Sequence, residues 1–195
     1  MLLDFSKTEA PTRYKLMSQA IVPRPIAWIV TENGSLNIAP FSFYSGIASE
    51  PPTVMIAVGH KADGTPKDTL HNIRTTGKCV ICTVLPEALE KMHCSSAALE
   101  RDVDEAEHFD IATVGHIDGY PPMIQGAPTA FFCTLNKEVP LEGSKTIPLF
   151  LTIDHMYLDD ACSDEAFNFD LDVVARLGKH YAALGERIPA PKIPQ

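Results

Sequence analysis

The chain predicts a mainly β fold: a β-barrel with helical insertions. Three observations predict it. Six runs are rich in β-branched and aromatic residues. An Asn33-Gly34 pair stands between the first two, where a hairpin would turn. The helical periodicities are few and do not alternate with strands, as a doubly wound βαβ sheet would require.

The first run, 26–31, is followed by Glu32-Asn33-Gly34-Ser35, and Asn-Gly tolerates the positive φ angles of a tight hairpin. The returning strand is 36–43. Pro40 inside it marks an edge strand or a bulge, because proline cannot donate to a ladder. Pro51-Pro52 punctuates, and 53–58 is the third strand. Residues 67–75 predict a short helix with Asp68 or Thr69 as N-cap, leading into strand 78–85. Leu85, Leu89, Met92, Ser96 and Leu99 recur at three- and four-residue intervals, with Pro86 at a first-turn position, which predicts an amphipathic helix. Residues 104–109 read as a short acidic helix, and strands 129–138 and 147–157 complete the set. Residues 188–195 carry three prolines and read as an extended tail of a single domain spanning 1–195.

With 195 residues the chain can bury one core without disulfides or a structural metal. Its 25 acidic and 16 basic residues give a net charge of −9, which repels nucleic acid phosphates and anionic membranes. An anionic ligand would therefore need a local cluster of donors. The five cysteines are odd in number and follow no framework, so reduced thiols in a cytoplasmic compartment are expected. No stretch resembles a secretory leader, and none approaches the roughly 20 apolar residues of a membrane span.

Several chemistries are disfavoured. Cys79-Val80-Ile81-Cys82 has redox or zinc spacing, but on a strand its cysteines face opposite ways about 10 Å apart, and no second pair completes a zinc site. They read as small core residues. The seven histidines show no metal-site spacing. Of these, His60 and His108 are retained as pocket candidates. No Gly-x-Ser-x-Gly elbow, Gly-x-Gly-x-x-Gly fingerprint or phosphate loop occurs.

Three stretches remain. In Lys67-Asp68-Thr69-Leu70-His71-Asn72, a lysine, a hydroxyl and helix-start N–H groups can converge on an anion; the competing reading is an ordinary capped helix. In Pro23-Arg24-Pro25, two prolines fix the backbone around an arginine suited to phosphate or carboxylate; the competing reading is a surface arginine. Residues 37–44 set Asn37 and Ser42 among aromatic side chains, a mixture that suits a flat heterocycle and equally a core strand.

The order of these blocks resembles the flavin reductase-like family of FMN-binding split barrels. The resemblance runs from about residue 22 to 181. It rests on Arg24-Pro25, Thr31, Asn33-Gly34, Asn37-Ile38-Ala39-Pro40-Phe41-Ser42, Pro51-Pro52, Lys67-Asp68-Thr69 with Asn72, and Ala175-Arg176-Leu177-Gly178-Lys179-His180-Tyr181. It implies a Greek-key barrel that forms a homodimer with one FMN per subunit. Lys67, Thr69 and Arg24 would face the phosphate, and Asn37, Ser42 and Phe43 would line the isoalloxazine. Thr31, Pro40, His60, Asn72, Lys145 and Arg176 complete the implied cofactor site, with no catalytic side chain and no metal. The chain departs from the family at Cys82, where an Asn is common, and at Lys179, where a second glycine is common. The implied activity is reduction of FMN by NADH or NADPH, with hydride passing from nicotinamide C4 to flavin N5 and reduced flavin serving a monooxygenase or another acceptor. The alternatives are an FMN-binding electron-transfer protein without a nicotinamide site and a flavin-free binding barrel.

Overall fold

The computed structural model describes residues 1–193. Helix α1 (Ala10–Ala20) leads into the two-residue strand β1 (Arg24–Pro25). Then come β2 (Ala27–Asn33), β3 (Ser35–Phe41), β4 (Tyr44–Ser49), β5 (Pro52–Gly59), α2 (Asp68–Thr76) and β6 (Lys78–Cys82). Short helices α3 (Leu89–Cys94) and α4 (Glu105–His108) and the short strands β7 (Thr113–Val114) and β8 (Met123–Ile124) precede the long hairpin of β9 (Thr129–Glu138) and β10 (Thr146–Leu158). Strands β11 (Val174–Leu177) and β12 (His180–Ala183) end the ordered elements.

Seven strands form one antiparallel sheet in the order β3-β2-β6-β9-β10-β5-β4. Strands β3 and β4 lie at opposite edges of that order, yet only Ser42 and Phe43 separate them. The sheet must therefore curl until its edges meet at this corner, which makes it a half-closed barrel. The chain leaves β5 near one edge and crosses through α2 to β6 beside β2, the long connection of a Greek key. A smaller sheet, β1-β11-β12, stands beside it.

Alternation along the strands builds two cores. Ala27, Ile29, Ile81, Cys79, Cys133, Leu149 and Leu151 pack together with Leu70 and Ile73 of α2. Trp28, Val30, Val80, Cys82 and Phe132 pack on the other face with Met92. Strand β2 is thus buried on both faces, which explains its continuous apolar run. Cys79 and Cys82 belong to different cores, and burial pushes the Cys82 thiol up to about 12. Cys79 lies directly opposite Cys133 across the β6–β9 ladder, and both are fully buried.

Several expectations need correction. The helix expected over 85–99 is a 3-10 turn (Pro86–Ala88) followed by α3 alone. It stops because the Ser95 hydroxyl donates to the Met92 carbonyl and accepts the Trp28 indole N–H at 3.0 Å, contacts that compete with continued helix. The N-cap of α2 is Lys67, not Asp68 or Thr69. The hairpin turn needs positive φ only at Gly34 (89°), with Asn33 still the last residue of β2. Strand 78–85 ends at Cys82, although the Thr83 N–H still donates to the Thr129 carbonyl. Pro40 sits in edge strand β3, one of the two alternatives its position offered. Residues 188–193 are exposed and belong to no element; Pro194 and Gln195 of the expected tail lie outside the described residues.

Candidate functional site

The larger cavity, about 440 Å³, opens at the corner where β3 passes to β4, and its size falls within the usual span of ligand clefts. Pro40, Phe41, Ser42 and Phe43 line it from that corner. Gly59 and His60 reach it from the end of β5, Lys67 from the start of α2, and His93 from α3. Arg176 of β11, Tyr181 of β12 and Tyr14 of α1 complete the wall, with Tyr14 edge-on to Phe43 at 5.9 Å between ring centroids.

No carboxylate is among the described residues that line this cavity, although the chain carries 25 of them. Lys67 and Arg176 border it, and neither forms an ion pair among the described residues, whereas Lys61, Arg74, Arg101 and Arg187 all do. The Arg176 guanidinium lies 4.5 Å from the Tyr181 ring centroid, and its Nε donates to the Gly178 carbonyl at 3.0 Å. The Tyr181 hydroxyl is 2.9 Å from His93 Nδ1, with the two rings edge-on. His60 Nδ1 lies 2.8 Å from the Lys145 carbonyl, which only accepts, so Nδ1 is the donor of this contact.

A smaller cavity of about 130 Å³ adjoins the first, and Pro40, Phe41 and Lys67 border both. Asn37, Lys61, Asp68, Thr69 and Glu105 also line it. Helix α2 begins here with no side-chain hydrogen bond from its N-cap. Its first-turn N–H groups, at the positive end of the helix dipole, therefore lack the usual internal acceptor. Burial works to raise the Asp68 carboxyl, but Lys61 and Arg101, each 2.8 Å away, outweigh it and hold the group below its usual range. Glu105 is buried with one oxygen on the Ile38 N–H, and burial lifts its carboxyl to about 7.

A buried polar network supports this end of the site. Asn37 Nδ2 donates to Thr69 Oγ1 at 2.9 Å and to Thr31 Oγ1 at 3.1 Å, and Asn72 Nδ2 donates to Thr31 Oγ1 at 3.1 Å. Asn37 and Thr69 reach the smaller cavity, while Thr31 and Asn72 stand behind them. The sequence-selected residues thus divide. Pro40, Ser42, Phe43, His60, Lys67 and Arg176 line the larger cavity.

Arg24, Lys145 and His108 stand elsewhere. Arg24 is 3% exposed; its guanidinium donates to the Ser18 and Ile21 carbonyls at the end of α1 and, at 3.3 Å, to the Ser42 hydroxyl. It holds Ser42 rather than facing either cavity. The Lys145 side chain is exposed, and only its carbonyl reaches the site, through His60. His108 is exposed and packs edge-on to Phe109. Tyr14 and His93 gave no local signal in the sequence. Tyr181 gave one only through its place after Arg176 in the closing block.

A curled antiparallel sheet with a ligand-sized cleft at the opening between its edges is a split barrel. The flavin reductase like domain family matches residues 17–171, and the chain belongs to that family. An uncharacterized protein of Aquifex aeolicus is 35% identical over 187 residues, covering 92% of this chain and 94% of its own. The crystal structure of 2-nitrobenzoate 2-nitroreductase from Pseudomonas fluorescens superposes with a TM-score of 0.88 at 27% identity, covering 100% of this chain and 96% of that one. Nitrilotriacetate monooxygenase component B from Bacillus cereus shares the fold, with a TM-score of 0.92 at 24% identity over 97% and 98% of the two chains.

The residues present fit a flavin mononucleotide. An uncapped helix start with a lysine suits its phosphate. The aromatic walls of the larger cavity, with no carboxylate among the described residues that line it, suit its flat ring system.

Proposed function

We propose that the protein binds FMN and works as a flavin oxidoreductase, reducing the flavin with NADH or NADPH and supplying it to a partner such as a monooxygenase. One observation carries the reading: α2 starts without a side-chain cap, and Lys67 before it, with no ion pair among the described residues, borders both the smaller cavity and an aromatic cleft whose described lining holds no carboxylate. Lys67 and the first-turn N–H groups of α2 hold the phosphate, with Asn37 and Thr69 fixing the helix start against β3. Pro40, Ser42 and Phe43 present the apolar and polar groups that receive the ring, and Arg24 fixes Ser42. Bound flavin would supply hydride acceptance from the nicotinamide, so this chain need contribute only binding, orientation and exclusion of water. Membership of the flavin reductase family and likeness to a nitroreductase support this reading. A homodimer suits it too, because β4 is an edge strand with residues 46–49 exposed and Ile47 51% exposed.

A visible spectrum and an FMN titration test the binding. Lys67→Ala should weaken FMN by about 1.5–3 kcal/mol, roughly 10- to 150-fold, for a lost charged hydrogen bond. An unchanged dissociation constant would put the phosphate elsewhere. Steady-state oxidation of NADH and NADPH with added FMN tests the activity. Flavin binding without turnover by either nucleotide would refute the reductase and favour an electron carrier.

A further inference from the structure

We propose that Arg176, seated on Tyr181 and backed by His93, receives the anionic group of a second, planar ligand in the larger cavity. The molecule that exchanges electrons with the flavin would then be a ring bearing a carboxylate or phosphate. This rests on the flavin reading of the cleft and extends it.

Lys67 and Arg176, the lysine and arginine of the cleft that have no ion pair among the described residues, are not equivalent. Lys67 borders both cavities and stands at the start of α2, so it and the helix suffice for the single phosphate of a flavin mononucleotide. Arg176 borders only the larger cavity, so a second positive charge is left within it. Among the described residues Arg176 is the arginine that borders a cavity, and like Arg13 and Arg24 it has no carboxylate partner. Lys61, Arg74, Lys78, Lys91, Arg101 and Arg187 each lie within 4.0 Å of one.

The guanidinium is also built into place. Arg176 and Tyr181 are direct cross-strand partners in the β11–β12 hairpin, so their side chains share a face. Gly178, at φ 53°, makes the turn that sets this register. Nε is committed to the Gly178 carbonyl, which orients the plane, and the terminal nitrogens have no acceptor among the described residues. The contact between the Tyr181 hydroxyl and His93 Nδ1 ties the ring beneath it to α3. A guanidinium held over a ring by its Nε, with its terminal nitrogens available, matches the two oxygens of a carboxylate or phosphate. Tyr14, Phe43 and Tyr181 provide ring faces and edges nearby for a planar body.

The test uses benzoate, phenyl phosphate and the neutral benzamide as probes of the FMN-loaded protein, read by flavin difference absorbance. The same probes are read on flavin-free protein by ligand-observed NMR. At least one of the two anions should bind about tenfold or more tightly than benzamide, and the tighter one identifies the group recognised. Arg176→Gln should erase that preference and weaken FMN far less than Lys67→Ala does, whereas Lys67→Ala should weaken FMN about tenfold or more and keep the preference. Three probes binding alike to the wild-type protein would overturn the proposal without reliance on any variant. So would an Arg176→Gln protein that loses FMN affinity as severely as Lys67→Ala, because Arg176 would then serve the flavin. If FMN fails to bind but the flavin-free protein still prefers the anions, the flavin reading falls and the Arg176 site stands.

Discussion

Thr31 is the keystone of the polar network behind the start of α2, and Thr31→Val tests that role. Its hydroxyl accepts two buried amide N–H groups, from Asn37 and from Asn72, each at 3.1 Å. Valine keeps the shape and removes the one acceptor of both bonds. Asn37 retains its bond to Thr69, whereas Asn72 loses the one side-chain acceptor its amide has among the described residues. A buried donor left unsatisfied costs about 1–3 kcal/mol, so one full and one partial loss sum to about 2–4 kcal/mol. For a chain of this length, each kcal/mol moves the thermal midpoint by about 2–4 °C, which places the shift near 8 °C. Thermal and urea denaturation of the wild type, Thr31→Val and Thr31→Ser measure the midpoint shift and the free energy, with Ser expected to recover most of the loss. FMN affinity should fall in Thr31→Val as well, because Asn37 and Thr69 lose a fixed neighbour. A Thr31→Val protein within about 0.5 kcal/mol of wild type, a typical surface effect, would refute the network as a source of stability.

Two further outcomes are expected. Burial lifts Glu105 to about 7 from its ordinary 4.5, so between those values the folded state holds a proton that the unfolded chain has lost. Stability therefore falls as pH rises through that window, by about 3 kcal/mol in full, and Glu105→Gln should lack this slope. Urea midpoints at low, middle and neutral pH would read it, and parallel pH profiles for the two proteins would sink the assignment. Arg24→Met removes the donors to the Ser18 and Ile21 carbonyls. Hydrogen exchange in α1 should then accelerate by about tenfold or more while β9 and β10 stay protected. Unchanged protection of α1 would mean that the helix is held by other contacts.

The barrel was legible where chemistry is local. Strands β2, β5, β9 and β10 carry their own signal because their apolar residues are buried by the sheet they form. Strand β4 is mostly exposed, with Gly46 in its middle, and it is a strand only because β5 pairs with it. Helix α1 buries Ser18 alone, so no apolar stripe announces it. The helix expected over 85–99 fails at Ser95 because Trp28, distant in sequence, claims its hydroxyl. The site divides in the same way. Residues 67–72 and 37–43 are contiguous blocks whose composition points to a ligand. His93 and Tyr181 are joined only by the fold. The prolines around Arg24 signalled a rigid arginine but held no information on its direction, which the end of α1 determines.

The thiol pair at the centre of the sheet gives the protein an internal clock. Cys79 and Cys133 face each other across β6 and β9 with no exposed surface, and their mutual contact and burial raise the Cys133 thiol far above its usual range. An alkylating reagent needs the thiolate and a path to it, so neither residue can react until those two strands part. Cys94 is exposed and should label at once. The slow phase of alkylation, read by intact mass, therefore times the opening of the barrel rather than the fraying of its margins. A bound ligand should lengthen that time by a factor of one plus the ratio of free ligand concentration to Kd, so the same cysteines can report the affinity of a cofactor or co-substrate that has no colour of its own.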